Sequence, residues 1–305
     1  MTIEEAIAAF RNGEFTEAKR ISIEAVKSGQ ERSIVSTPYP LAVLLEGFHR
    51  HLLGDREAAF RGAYHILQIS HGHRDALNLL HLVLDSIAPS GSESCLLFGL
   101  GTGRSGSSTL TRLLQEARGV YASHEHLPLV RWQSDPAMVD WHLKRMRLLA
   151  RGFRVVADIS HWWLPHVDQI LASCPEARFL AVRRPKADVV RSFMRLSKDG
   201  VIINHWRDGP IDQVDWSSTY PSYSTDDTEE AISRYWDDYY SASSAYAAMY
   251  PDRFKLVEFG DLVDGRLTRL LSDWLGLEFK QSEGVPHLNQ ATIQDGKFMI
   301  PSPFV

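Results

Sequence analysis

The sequence predicts an α/β domain, built on a parallel sheet flanked by helices, that follows a small all-helical domain. After residue 90, short apolar runs alternate with helical stretches, and they fall at residues 95–99, 155–157, 179–182 and 254–257. Apolar runs of this length are typical of parallel strands that helices cover on both faces. Before residue 90, apolar residues recur about every three or four positions, which predicts amphipathic helices. The clearest set comprises Leu41, Leu44, Leu45, Phe48 and Leu52.

The helical domain is assigned to residues 1–90. Two of its turns are similar, because Gly13 precedes Ala18 and, about forty residues later, Gly54 precedes Ala59. A glycine turn followed by a small alanine lets paired helices pack closely, so the pattern resembles a tetratricopeptide repeat; a helical domain without repeats is the alternative. Such modules commonly bind a protein partner or a second copy, and we expect one of these roles here.

A domain boundary is predicted at residues 87–92, where Pro, Gly and Ser cluster and the helical period stops. The α/β domain is therefore assigned to residues 91–305. It contains a long predicted helix at 228–250. The stretch at 197–227 has no clear period and is rich in Asp, Ser, Tyr and Trp, so it is interpreted as a lid or acceptor-binding loop or as an irregular insertion.

The composition of the 305 residues argues against several classes of protein. A net charge of −5 disfavours non-specific binding to nucleic acid. The two cysteines, Cys95 and Cys174, lack metal-binding spacing, which disfavours a disulfide scaffold and a zinc ribbon. The N-terminus has no signal-peptide pattern, and no apolar run approaches the roughly 20 residues of a membrane span. We therefore expect a cytoplasmic protein without a membrane span.

A turn rich in Gly and Ser follows the first predicted strand and opens a helix that carries Leu110 on its inner face. This arrangement directs several backbone N–H groups and a helix N-terminus at one spot, which predicts an anion site. Ser107 and Ser108 add hydroxyl donors for phosphate oxygens. The sequence therefore predicts a phosphate-binding loop of the P-loop type.

The position of the cation in this loop discriminates between classes of enzyme. A nucleotide hydrolase needs Lys followed by Ser or Thr directly after Gly106, whereas this chain has Ser107 there and carries its cation earlier, at Arg104. The segment from Gly101 to Gly106, Gly-x-x-Arg-Ser-Gly, is similar to the 5′-phosphosulfate loop of the sulfotransferases. It resembles the branch with Arg in place of Lys, to which tyrosylprotein sulfotransferases and many bacterial enzymes belong, including bacterial enzymes with tetratricopeptide repeats.

The resemblance implies a donor, 3′-phosphoadenosine 5′-phosphosulfate (PAPS), and a product, 3′-phosphoadenosine 5′-phosphate (PAP). In that family a second strand ends in Arg, and a Ser eight residues later opens the next helix; the two grip the 3′-phosphate. Arg184 and Ser192 have this spacing, with Arg183 as the alternative arginine. Lys297 is either a further donor contact or a solvated tail residue. The residues implied for the 5′-phosphosulfate are Gly103, Arg104, Ser105, Gly106, Ser107 and Ser108.

Sulfuryl transfer to a hydroxyl needs a base for that hydroxyl and a cation where charge develops on the leaving phosphate. The resemblance implies that Arg104 is the cation. Glu125 lies 21 residues after Arg104, the interval of the proposed base in tyrosylprotein sulfotransferases, and it is our preferred base. His161 is the alternative, because it follows the second predicted strand as the histidine of cytosolic sulfotransferases does. No metal is expected, although His124 and His126 flank Glu125.

We therefore expect a sulfotransferase that acts on an unidentified hydroxyl acceptor: a carbohydrate, a peptide tyrosine or a small molecule. One rival interpretation is a P-loop kinase or nucleotide hydrolase, since Asp158 ends an apolar strand as a magnesium-binding aspartate does. Another is a non-catalytic adaptor that binds partners through its helical repeats.

Overall fold

The computed structural model describes residues 2–70, 72–86, 94–126, 128–198 and 216–279. These residues form two compact units, one within 2–86 and the other within 94–279. The predicted boundary between residues 90 and 91 falls outside the described residues, as does Lys297. The assignment of residues 1–90 and 91–305 to separate domains therefore stays a prediction.

Five α-helices and one short 3₁₀ helix, Ile34–Ser36, form the described part of the first unit. The α-helices are α1 (Ile3–Arg11), α2 (Phe15–Lys27), α3 (Tyr39–Leu52), α4 (Arg56–Ile69) and α5 (Arg74–Asp85). Gly13 and Gly54 adopt left-handed φ angles of +79° and +82° in the turns that precede α2 and α4. Ala18 and Ala59 are fully buried, which lets the paired helices approach closely. The tetratricopeptide interpretation of these two turns stays a prediction.

The apolar set predicted on α3 is only partly buried. Leu44 is 2% exposed, but Leu41 and Leu52 are 46% and 82% exposed. The helix instead turns small residues inward, because a Cβ on Gly47 would lie 2.8 Å from the side chain of Leu79 in α5. Close packing of the backbones has therefore decided which face of α3 is buried.

The second unit is built on five parallel strands in the described part of the chain, which confirms the predicted α/β class. The strands are β1 (Cys95–Leu100), β2 (Val120–His124), β3 (Val155–Ile159), β4 (Arg178–Arg183) and β5 (Phe254–Glu258), in the sheet order β2-β3-β1-β4-β5. The four strands predicted from apolar runs are present. β2 was not predicted, because its apolar run is interrupted by Ser123 and ends on His124.

Seven α-helices accompany this sheet in the described residues. They are α6 (Ser107–Gln115), α7 (Pro136–Leu149), α8 (Val167–Ser173), α9 (Lys186–Lys198), α10 (Thr228–Met249), α11 (Phe259–Val263) and α12 (Arg266–Leu275). Two 3₁₀ helices, His161–His166 and Trp216–Thr219, follow β3 and precede α10. The long predicted helix at 228–250 corresponds to α10. None of the helices in the described ranges is long and apolar enough to span a bilayer.

One hydrophobic cluster anchors the loop-bearing part of the sheet. Leu97 of β1, Ala157 of β3 and Leu110 of α6 are fully buried in it together with Leu271 of α12. Because all strands are parallel, the carboxyl ends of β1, β3 and β4 lie at the same edge of the sheet. The loops that follow these strands carry the candidate site.

Candidate active site

The loop between β1 and α6 has a backbone that requires glycine. Gly103 and Gly106 have φ angles of +74° and +96°. A Cβ on Gly106 would lie 2.8 Å from the ring of Phe259, and one on Gly103 would lie 3.3 Å from the hydroxyl of Tyr220. Within the described chain, the backbone N–H groups from Gly103 to Ser108 donate no hydrogen bond to the backbone. These N–H groups are available to an anion at the start of α6.

The two predicted donor motifs meet at this loop. Arg184 donates a hydrogen bond from Nη1 to the carbonyl oxygen of Arg104, at 3.0 Å, and Arg104 donates from Nε to Oγ of Ser192, also at 3.0 Å. The guanidinium of Arg184 also lies 5.0 Å from the ring centre of Phe259. Its buried Nε has no hydrogen-bond partner among the described residues, so the side chain retains a donor for a ligand.

The structure separates the two arginines that the sequence left as alternatives. Arg183 points to the neighbouring strand and pairs with Glu258 through both Nε and Nη2. Of the two arginines, Arg184 is therefore the one that contacts the loop. The expectation that Ser192 begins a helix is wrong, because α9 begins at Lys186 and Ser192 lies within it. Ser192 contributes its side-chain hydroxyl to the site and not a free helix N-terminus.

The two candidate bases are neighbours. Nδ1 of His161 lies 3.5 Å from Oε1 of Glu125, and Nε2 of His161 lies 3.0 Å from Oγ1 of Thr219. The ring of His161 also stacks on that of Tyr220, with ring centres 4.0 Å apart. His161 and Thr219 are buried, whereas the side chain of Glu125 is 24% exposed. Of the two, Glu125 is the group that an acceptor in solvent can reach.

The backbone holds Glu125 in an uncommon conformation just after β2. Its φ angle is +48°, and its N–H donates a hydrogen bond to the carbonyl oxygen of Ile159 at 3.0 Å. Non-glycine residues with positive φ are uncommon and are found at functional sites. The other such residue in the described chain is Arg104, with φ of +52°.

The two histidines beside Glu125 face different partners. Nε2 of His124 lies 2.8 Å from Oγ of Ser107, and its Nδ1 lies 3.9 Å from Oε2 of Glu125. The ring of His126 is 6% exposed and packs against that of His142. In the described ranges, no three His, Cys, Asp or Glu side chains are grouped as metal ligands would be.

Electrostatic effects connect the loop with the candidate base. Burial lowers the pKa of Arg104, and the charge of Arg184 lowers it further, while Tyr220 and Glu125 oppose this shift. Burial raises the pKa of Tyr220 well above its ordinary value, with a further increase from the charge of Glu125. Arg104 remains a cation at neutral pH, since arginine is not deprotonated in proteins. It therefore lies within electrostatic range of Glu125.

Three residues of the site were not identified from the sequence. Thr219 and Tyr220 lie at the end of the irregular 197–227 stretch, and no motif marks them. Tyr239 lies in the long helix predicted at 228–250, and no motif marks it either. Its hydroxyl accepts a hydrogen bond from the N–H of Gly101, at 2.9 Å, and donates one to the carbonyl oxygen of His161, at 3.0 Å. Tyr239 thereby connects the loop with the turn that carries His161.

Asp158, the candidate magnesium ligand of the rival interpretation, is fully buried. Its Oδ2 accepts hydrogen bonds from Oγ of Ser160, at 3.1 Å, and from Nε1 of Trp163, at 2.9 Å. Its Oδ1 accepts one from Ser123 and lies 3.6 Å from Nη2 of Arg145. Both carboxylate oxygens therefore serve the internal structure of the unit.

Comparison with known proteins relates one part of this site to a family. Residues 130–281, which include Arg184 and Ser192, match the model of the sulfotransferase family. A search of the curated proteins returns no match. A solved structure, the sulfotransferase from Alicyclobacillus acidocaldarius, is similar over 64% of this chain and 85% of its own, with 21% identity and a TM-score of 0.37. The family match supports a sulfotransferase, and therefore a transferase.

Proposed function

We propose that this protein transfers the sulfuryl group of PAPS to a hydroxyl of an acceptor. The observation that carries the proposal is the contact of Arg184 with Arg104 and of Arg104 with Ser192, which unites two motifs far apart in the sequence. PAPS carries a phosphate at the 3′ position and a phosphosulfate at the 5′ position of one ribose, so it needs two anion sites close together. The loop N–H groups, and the Nε of Arg184 that has no hydrogen-bond partner among the described residues, fit these two requirements.

The donor would be held by two groups of residues. The N–H groups from Gly103 to Ser108, with the hydroxyls of Ser107 and Ser108, would bind the 5′-phosphosulfate. Arg184 and Ser192 would bind the 3′-phosphate, because a guanidinium offers paired donors to phosphate oxygens. Lys297, which lies outside the described residues, stays a predicted further contact.

Glu125 would be the base. As the acceptor oxygen forms a bond to sulfur, the bond between sulfur and the bridging oxygen breaks, PAP leaves, and the acceptor proton passes to the Glu125 carboxylate. Arg104 would stabilise the negative charge that develops on the leaving phosphate. His161 would position Glu125 and not take the proton itself, since its two ring nitrogens face Glu125 and Thr219 in a buried site.

The rival functions lack such support. A kinase or nucleotide hydrolase would need Asp158 for magnesium, and both oxygens of Asp158 already have partners. A non-catalytic adaptor would not need Arg104 to have a left-handed backbone conformation and to donate a hydrogen bond to Ser192.

The acceptor stays open among a carbohydrate, a peptide tyrosine and a small molecule. Most of the stretch at 197–227, the proposed acceptor-binding loop, lies outside the described residues. Its described end supplies Thr219 and Tyr220 beside His161, which favours a role at the site over an irregular insertion. The helical unit remains a proposed site for a protein partner or a second copy.

The donor is tested by thermal denaturation with PAP, with ATP plus magnesium, and without ligand. A ligand that binds only the folded state at 100 times its Kd stabilises it by about 2.7 kcal/mol. We expect PAP to raise the Tm and ATP plus magnesium to raise it less. A rise with ATP plus magnesium alone would contradict the proposal, and no response to either ligand would favour the adaptor.

A further inference from the structure

Glu125 lies between two imidazoles, and a hydroxyl anchors the far nitrogen of each. On one side His161 contacts Thr219. On the other side His124 contacts Ser107, the first residue of α6. This second contact has a different consequence, because Ser107 belongs to the proposed donor loop.

We infer that His124 is a positioning residue that orients the hydroxyl of Ser107 towards the donor and links the donor loop with Glu125. The inference rests on the proposed function. It assigns a role to a residue that touches neither the donor nor the acceptor in this scheme and acts through its two neighbours.

The Ser107 hydroxyl can make only a limited set of hydrogen bonds. A serine hydroxyl has one proton to donate and two lone pairs that accept. Phosphate oxygens accept only, so Ser107 must donate its proton to a bound phosphate. Its contact with Nε2 of His124, at 2.8 Å, must then run in the other direction, with His124 as the donor. An Nε2–H on His124 therefore sets the Ser107 proton towards the ligand.

The other nitrogen of the same ring faces the base. Nδ1 of His124 lies 3.9 Å from Oε2 of Glu125, beyond hydrogen-bond distance, whereas Nε2 is fully engaged with Ser107. A rigid ring transmits any shift of Ser107 to the nitrogen beside Glu125. His124 thus connects the donor loop and the base through one side chain that is 19% exposed.

Two conservative variants separate this role from a merely structural one. The amide nitrogen of Gln can occupy the place of Nε2, and that of Asn the place of Nδ1. We expect His124→Gln to bind PAP within about threefold of the wild type, and His124→Asn to bind about tenfold more weakly, since one hydrogen bond to a charged ligand is then misdirected. Titration calorimetry with PAP measures both.

Ser107→Ala completes a double-mutant cycle with His124→Asn. It should weaken PAP binding by about tenfold in the wild type but by no more than about twofold in His124→Asn, because coupled residues are not additive. With water as the acceptor, His124→Gln should also release PAP from PAPS more slowly than the wild type, since Gln lacks the ring nitrogen that lies 3.9 Å from Oε2 of Glu125.

Several outcomes would overturn the inference. Equal PAP affinities of the Gln and Asn variants would do so, as would fully additive effects of the Ser107 and His124 substitutions. If the variants lost Tm in proportion to affinity, the role would be structural. Failure of the wild type itself to bind PAP would instead refute the proposed function, so the two failures are distinguishable.

Discussion

Arg184→Ala tests the proposed 3′-phosphate site most directly. Nη1 of Arg184 donates a hydrogen bond to the carbonyl oxygen of Arg104, and its buried Nε has no hydrogen-bond partner among the described residues. Hydrogen bonds to charged groups contribute about 1.5–3 kcal/mol each. Since about 1.4 kcal/mol corresponds to a tenfold change in affinity, loss of this side chain should raise the Kd for PAP by about 10- to 150-fold.

Arg183→Ala is the matched control from the same strand end. Arg183 pairs with Glu258, and the two side chains are 38% and 52% exposed. Exposed ion pairs contribute about 0–1 kcal/mol, so this variant should lose little stability. Its Kd for PAP should change by less than about fivefold at fixed salt. Titration calorimetry, with a thermal melt to check folding, measures both variants.

The pair of variants also defines what would refute the reasoning. A loss of PAP affinity in Arg183→Ala equal to that in Arg184→Ala would assign the phosphate contact to the wrong arginine. No loss in either variant would mean that the second motif binds no phosphate, and PAPS would lose its main support as the donor.

Further predictions concern the loop, the thiols and pH. Gly106→Ala should lower the Tm and weaken PAP binding, because a φ of +96° costs an L-residue about 1–2 kcal/mol and the new Cβ would contact the Phe259 ring. The control Gly260→Ala should change neither the Tm nor PAP binding, since no atom lies within 4 Å of the Cβ it would add. Burial raises the pKa of Cys95 to about 11 and that of Cys174 to about 12, so at pH 8 at most ~0.1% of either thiol is ionised, and a disulfide reagent should label both slowly until the protein is denatured. Burial lowers the pKa of His166 in the folded state, so the unfolded chain takes up the proton first. Unfolding free energy should therefore fall as pH drops below about 6.5, by at most about 1.4 kcal/mol per pH unit, and His166→Gln should flatten this loss in melts across pH.

The sequence predicted those parts of the site that local spacing determines. Arg104 and Gly106 belong to one loop, and the interval from Arg184 to Ser192 is fixed along a strand end and a helix. In each case only a few residues separate the members of the motif, so their spacing in the sequence limits their distance in space. The spacing does not indicate where α9 begins. A proline follows the two arginines, and a helix tolerates proline at its very start.

Contacts between distant segments could not be predicted in this way. Thr219 reaches His161 across 58 residues, and Tyr239 reaches Gly101 across 138. No local pattern in the sequence indicates which tyrosine of a helix contacts which loop. β2 was missed for a local reason, because Ser123 interrupts its apolar run, and so the strand that carries His124 to Ser107 was not predicted.

The buried aspartate of β3 shows how the same sheet edge can serve different chemistry. In a nucleotide hydrolase an aspartate at such a strand end helps to hold magnesium, which offsets phosphate charge. Here Asp158 is fully buried, and its oxygens are bonded to Ser160, Trp163 and Ser123. Compensation of donor charge in the proposed site thus rests on arginines, which explains why a chain of net charge −5 concentrates Arg104 and Arg184 at one loop.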